Sequence, residues 1–139
     1  MKEDRFELVQ NQFIAYLNSL VNQEKNVENL YSDWLKKESI KIFNEKILKH
    51  GQSIGFIPRK TRIKDLKNRW GSLLHDGVIN LNVNLIKAPE DIIDYIIIHE
   101  LCHFKIKGHS YHFWNYLKQF EPDYEQKIKW LEKNSISLL

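Results

Sequence analysis

Two histidines and a glutamate stand close together in one short segment of the chain. His99, Glu100 and His103 form the pattern H-E-x-x-H. Histidines four residues apart place their imidazoles on the same face of a helix, where both can bind one cation. Glu100 would lie about 100° around that helix, since an α-helix has roughly 3.6 residues per turn. Its carboxylate would then flank the metal, and the pattern predicts that it acts as a general base on an attacking water.

A third ligand is needed, because a catalytic zinc ion usually takes three protein ligands and keeps one position open. His109 follows His103 by six residues, just beyond Gly108, where the chain can turn back. The separation equals that in H-E-x-x-H-x-x-G-x-x-H, although the glycine here comes two positions late. His112 is the alternative ligand, and His112 or Tyr111 could instead contact the substrate or stabilise the transition state. We expect one zinc ion, bound by the histidine pair and His109.

The segment 91–109, which carries the histidine pair, is apolar on nearly every side. Its apolar residues are Ile92, Ile93, Ile96, Ile97, Ile98, Leu101 and Phe104. Pro89 favours a helix start, and Gly108 can adopt the left-handed conformation that ends a helix, so we predict a buried helix that extends to Gly108. Cys102 fits this helix as a small buried side chain. Buried imidazoles and a buried carboxylate are costly without partners, and a metal would supply one.

The preceding part of the chain has the apolar spacing of helices. That spacing predicts one helix over 4–22 and a second over 27–50, with a turn at 22–26 and a stop at Gly51. His50, at the end of the second helix, has the character of an ordinary surface histidine.

Shorter elements follow residue 54. Alternating apolar residues at 78–83 predict a strand, and 75–77 predicts a hairpin turn, so we expect a small antiparallel sheet packed on the histidine-bearing helix. We expect an edge strand at 77–83 that pairs with an extended peptide. Two helices should complete the chain, the second opening at Pro122.

Basic residues are concentrated between positions 59 and 69. Six of these eleven residues are basic: Arg59, Lys60, Arg62, Lys64, Lys67 and Arg69. The simplest interpretation is a solvated strand face, and the alternative is an anion-binding wall beside the metal. Arg69 either binds a carboxylate or phosphate in the cleft or pairs with an acid such as Asp94.

Composition limits the class of protein. The chain has 139 residues, a net charge of +3 and one cysteine, which indicates a single domain without an internal disulfide. No apolar run approaches the roughly 18 residues that span a bilayer, and the charged N-terminus lacks the apolar core of a signal peptide. These features favour the cytoplasm and a protein without membrane contact.

Seven short motifs occur together, in this order. They are RWGS at 69–72, NLNVNL at 80–85, AP at 88–89, IDY at 93–95, HELCH at 99–103, HSYHFW at 109–114 and PDY at 122–124. In order and spacing the chain closely resembles the YgjP-like predicted metal-dependent hydrolases, relatives of the SprT and WLM proteases with a zincin fold. The resemblance covers 31–133 and leaves 1–30 as a helical N-terminal extension.

The resemblance implies a fold class, a metal and site roles. It implies an α+β zincin-like domain in which His99, His103 and His109 hold zinc and Glu100 activates water. The sequence departs from the family at Leu73, where members often have cysteine.

The implied activity is zinc-dependent hydrolysis, foremost of peptide bonds in a peptide or protein substrate. Two alternatives stay open. One is a nucleotide phosphohydrolase of the pyrophosphatase type that uses the same site. The other is a non-catalytic, zinc-stabilised module that binds nucleic acid through 59–69. The substrate and the oligomeric state are left open by the sequence.

Overall fold

The first two elements are helices, as their apolar spacing predicts. The computed structural model describes residues 5–19 and 27–138, and the predicted turn at 22–26 lies outside them. Helix α1 spans Arg5–Ser19 and helix α2 spans Val27–Ile54. α1 packs into the core through Val9, which is fully buried. None of the described helices is both long and apolar enough to cross a membrane.

Helix α2 continues one turn past Gly51, so the predicted stop at that glycine was wrong. The chain folds back over the end of α2, and a Cβ on Gly51 would lie 2.6 Å from the carbonyl oxygen of Phe56. Glycine is therefore required at position 51 for close approach of the backbone. Gly55, with φ of 91°, is the residue in the left-handed region that follows the helix.

Three short strands form a mixed sheet. β1 spans Lys60–Lys64, β2 spans Gly71–Leu73 and β3 spans Val78–Asn82, in the order β1-β3-β2. β2 and β3 are antiparallel and joined by the predicted turn at 75–77, where Gly77 has φ of 86°.

The expectation of an antiparallel sheet was only partly right, because β1 runs parallel to β3. The expected edge strand at 77–83 was wrong, because β3 is the central strand. Among the described residues, the outer strands are β1 and β2.

Helix α3, which spans Glu90–Cys102, lies at the centre of the domain. A 3-10 turn over Val83–Lys87 leads into it, and the helix begins directly after Pro89, as predicted. It ends at Cys102, six residues before the predicted stop at Gly108. Gly108 has φ of 76° and lies instead in the loop after the helix.

Burial of α3 on both sides explains its apolar sequence. One side joins the main core of α2, the sheet and the 3-10 turn through Ile93, Ile97 and Leu101, all fully buried. The other side joins a second apolar cluster with helices α4, Tyr111–Lys118, and α5, Tyr124–Leu138. The buried members of that cluster are Tyr95, Ile98, Cys102, Phe113 and Leu117.

A polar contact ties α2 to α3. Asp94 Oδ1 lies 2.8 Å from His50 Nε2 and accepts a hydrogen bond from Lys46 Nζ at 2.9 Å. These two partners hold the pKa of Asp94 below its usual value despite the opposing effect of burial. The expectation that His50 is an ordinary surface histidine was therefore wrong, and the described partners of Asp94 do not include Arg69.

Candidate metal centre

The last turn of α3 and the loop after it bring three histidines together. The ligand atoms of His99, His103 and His109 all lie within 4.8 Å of one another. The Nε2 atoms of His99 and His109 are 3.1 Å apart. Two nitrogen ligands about 2.1 Å from one zinc ion lie roughly 3–4 Å apart, so this donor set fits a single ion of that kind.

Two oxygen atoms orient the imidazoles of His99 and His103. His103 Nδ1 lies 3.1 Å from the carbonyl oxygen of Ile106, which can only accept, so Nδ1 carries the proton and Nε2 is left as a ligand atom. The hydroxyl of Tyr95 lies 3.2 Å from His99 Nδ1, within hydrogen-bond distance. Tyr95 was not predicted from the sequence. Its signal was available, since Tyr95 precedes His99 by four residues and so shares its helix face.

Aromatic side chains of α4 form one wall of the site. Phe113 stacks on His103, with ring centroids 4.2 Å apart and planes 10° apart. Trp114 lies 5.8 Å from His99 and 5.7 Å from His109, centroid to centroid. These contacts restrict the rotation of the imidazoles and cover them on the α4 side.

Burial keeps His99 and His103 neutral. It is the main cause that lowers the pKa of His99 to about 3, and the neighbouring His103 and His109 lower it further. Burial also lowers the pKa of His103, although the bond to Ile106 opposes this shift. A metal binds the unprotonated imidazole, so both side chains are in the binding form at neutral pH.

Glu100 lies beside the histidines in a nearly closed environment, with 8% of its surface exposed. Burial raises the pKa of this carboxyl group to about 7, while the positive charge of Arg69 pulls it down. Strand β2 covers the side chain, since a Cβ on Gly71 would lie 3.2 Å from Glu100 Cγ. A carboxyl group with a pKa near neutrality can both accept and return a proton.

The other residues considered from the sequence lie outside the cluster. His112 is exposed, and Tyr111 is 75% exposed, at the start of α4. Arg69 is also exposed, and its positive charge lowers the pKa of Glu100. Most of the basic segment belongs to β1 and its flanks, and β3 separates β1 from β2. The basic strand therefore does not form a wall beside Glu100.

Comparison with known proteins agrees with this arrangement. The family model described as "YgjP-like, metallopeptidase domain" matches residues 2–134. The chain belongs to this family. The match takes in α1 as well as the 31–133 region whose motifs carry the resemblance. Membership of a metallopeptidase family implies a catalytic metal and a peptidase-like hydrolase.

Two solved structures share the fold. One is the metallopeptidase zymogen abylysin of Pyrococcus abyssi, with a TM-score of 0.59 and 24% identity, which covers 69% of this chain and 94% of that one. The other is the metallopeptidase zymogen jannalysin of Methanocaldococcus jannaschii, with a TM-score of 0.57 and 25% identity, which covers 66% of this chain and 95% of that one. A comparison with curated proteins finds no significant match. The two solved structures confirm the α+β class and the zincin-like fold that the sequence predicts.

Proposed function

We propose that this YgjP-like protein is a zinc metallopeptidase that cleaves peptide bonds in peptide or protein substrates. The proposal rests on one observation: the imidazoles of three histidines cluster beside the buried carboxyl group of Glu100. It occurs in a chain whose family is one of metallopeptidases.

Zinc is the proposed metal because the donor set consists of three histidine nitrogens. Three protein ligands with a fourth position open are typical of catalytic zinc sites. The ligands would be His99, His103 and His109. A bound zinc ion supplies Lewis acidity, which polarises the scissile carbonyl group and lowers the pKa of a water molecule.

Glu100 is the proposed general base. Its carboxylate accepts a proton from the attacking water and returns it to the leaving amine. A side chain held between α3 and β2 has little freedom to move, which favours a fixed position for this proton transfer. Its raised pKa, about 7, suits both halves of the exchange.

Strand β2 is the proposed guide for the substrate backbone. The first residue of β2, Gly71, contacts Glu100. One edge of β2 pairs with β3. An extended peptide can add to the other side through main-chain hydrogen bonds, a recurring mode of peptide recognition. The role proposed from the sequence for the 77–83 strand thus moves to its neighbour in the hairpin.

Hydrolysis of nucleotides has less support. That hypothesis relied on Arg69 with its basic neighbours as a phosphate-binding wall. The strand that carries Lys60, Arg62 and Lys64 lies at the far edge of the sheet from β2. The charge of Arg69 alone does not form such a wall.

A substrate panel tests the proposal. Metal-loaded protein is incubated with a mixed peptide library and with nucleoside di- and triphosphates, and chelator-treated protein serves as the control. We expect metal-dependent cleavage of peptides and no release of phosphate. Metal-dependent phosphate release without peptide cleavage would refute the peptidase proposal.

A further inference from the structure

A cavity of about 600 Å³ opens directly beside the candidate metal centre. His103 lines it, so the cavity and the three-histidine cluster share a side chain. Its other walls come from Phe56 in the loop after α2, from the β2–β3 hairpin and from the loop after α3. The volume lies within the roughly 300–1,000 Å³ of ordinary ligand pockets.

Exposed apolar groups face this cavity. Phe56 and Phe104 stack with ring centroids 4.1 Å apart and planes 2° apart, although they are distant in sequence. Phe104 is 54% exposed and Leu74 is 38% exposed, and both line the cavity. Large apolar side chains that are exposed to solvent beside a candidate active site indicate a binding surface.

Part of the cavity lining is polar. His75, Asp76 and Lys107 contribute to the lining. Arg59 donates a hydrogen bond to the Asp76 carboxylate at 3.2 Å and so offsets its charge. A lining that combines two stacked rings with polar side chains suits an aromatic or large aliphatic side chain whose backbone stays in the open cleft.

Strand β2 relates the cavity to the bond that is cleaved. Gly71 lies against Glu100, whereas Leu73, two residues later, lines the cavity. Antiparallel pairing is slightly more stable per residue than parallel pairing. A peptide antiparallel to β2 passes Leu73 before it reaches Gly71. The cavity therefore meets residues on the N-terminal side of a bond placed at Glu100.

We propose that this cavity is a specificity pocket that selects an aromatic or large aliphatic side chain on the N-terminal side of the scissile bond. The proposal rests on the proposed peptidase function, because it takes a peptide as the occupant. Phe104 is the main specificity-determining residue, because it offers the exposed ring face.

The test measures binding, so that it does not depend on turnover. The metal-loaded 139-residue Glu100→Gln protein is titrated with two labelled peptides, chosen from the library by binding, that differ only in having phenylalanine or alanine at one position. We expect about 10-fold tighter binding of the phenylalanine peptide, a typical discrimination for an apolar pocket. Adding Phe104→Ala should reduce the preference to about twofold or less, while Phe104→Leu keeps part of it.

Leu48→Ala is the matched control. Leu48 lies on α2, outside the cavity lining, and at 50% exposure it resembles Phe104. The Leu48 variant should keep the full preference. Equal binding of both peptides to the Glu100→Gln protein would refute the pocket proposal. A preference for phenylalanine that survives Phe104→Ala would also refute it. Metal content is measured for each variant, because Phe104 adjoins His103.

Failure of the two proposals gives different results. If wild-type protein cleaves no peptide but the binding preference depends on Phe104, the peptidase proposal fails, and only the binding of large apolar side chains in the cavity stands. If peptides are cleaved with no preference for large apolar residues before the cut, the pocket proposal fails and the peptidase proposal stands.

Discussion

Replacing Glu100 by glutamine should stabilise the metal-free protein at neutral and alkaline pH. Burial raises the pKa of this carboxyl group from 4.5 to about 7, so the folded protein resists its ionisation. Below pH 4.5 the carboxyl group is protonated in both the folded and the unfolded protein, so it does not reduce the stability of the fold. As the pH rises towards 7 the unfolded chain loses the proton first, and the folded state becomes relatively less stable. Glutamine keeps the volume and cannot ionise.

The size of the effect follows from the two pKa values. Each tenfold difference in proton affinity is worth about 1.4 kcal/mol, so ionised Glu100 destabilises the metal-free fold by about 3 kcal/mol at pH 8. The advantage of Glu100→Gln should therefore approach 3 kcal/mol at pH 8 and fall below about 1 kcal/mol at pH 5. His99, whose pKa is lowered to about 3, makes both proteins less stable in acid and cancels in the comparison.

Urea unfolding measures this difference. Both proteins are stripped with a chelator, dialysed and unfolded at several pH values between 5 and 8. A glutamine variant that is no more stable than wild type at pH 8 would show that the carboxylate is not held in a desolvated environment. That result would remove the basis for its tuned proton transfer.

Three further outcomes are expected. His109→Ala should lose the metal and His112→Ala should keep it, as measured by metal analysis; the reverse result would move the third ligand to the first turn of α4. A strong chelator should lower the melting temperature of metal-loaded protein but leave its helical circular dichroism, because the apolar clusters do not include the metal; an unchanged melting temperature would contradict this. Gly71→Ala should destabilise the fold by about 1–3 kcal/mol in urea unfolding, because its Cβ would lie 2.9 Å from the carbonyl oxygen of Asn80; unchanged stability would show that the backbone relaxes there.

Local signals in the sequence were sufficient for the elements that carry the site. The i, i+4 histidine pair, the apolar surroundings and Pro89 located α3 and its start. Gly108 indicated the bend that brings His109 back to the pair, and it has the positive φ that such a bend requires. The end of α3 was placed too late because Lys105 and Lys107 suit a last helical turn as well as they suit a loop.

Contacts between distant segments were not predictable in the same way. Alternating side chains identify a strand but carry no information on its partner or direction, so the parallel pairing of β1 with β3 was missed. The bond from His50 to Asp94 depends on how α2 crosses α3. The stacking of Phe56 on Phe104 depends on the path of two loops, and neither residue has a motif around it.

The most direct test of the central claim compares wild-type and Glu100→Gln proteins on a cleaved peptide, with the metal content of both measured. Three histidines are the proposed metal ligands, so the variant should keep its full metal content. It should lose activity by about 100- to 10,000-fold, the usual cost of removing a general base. Full metal content with undiminished turnover in the Glu100→Gln protein would contradict the proposed mechanism.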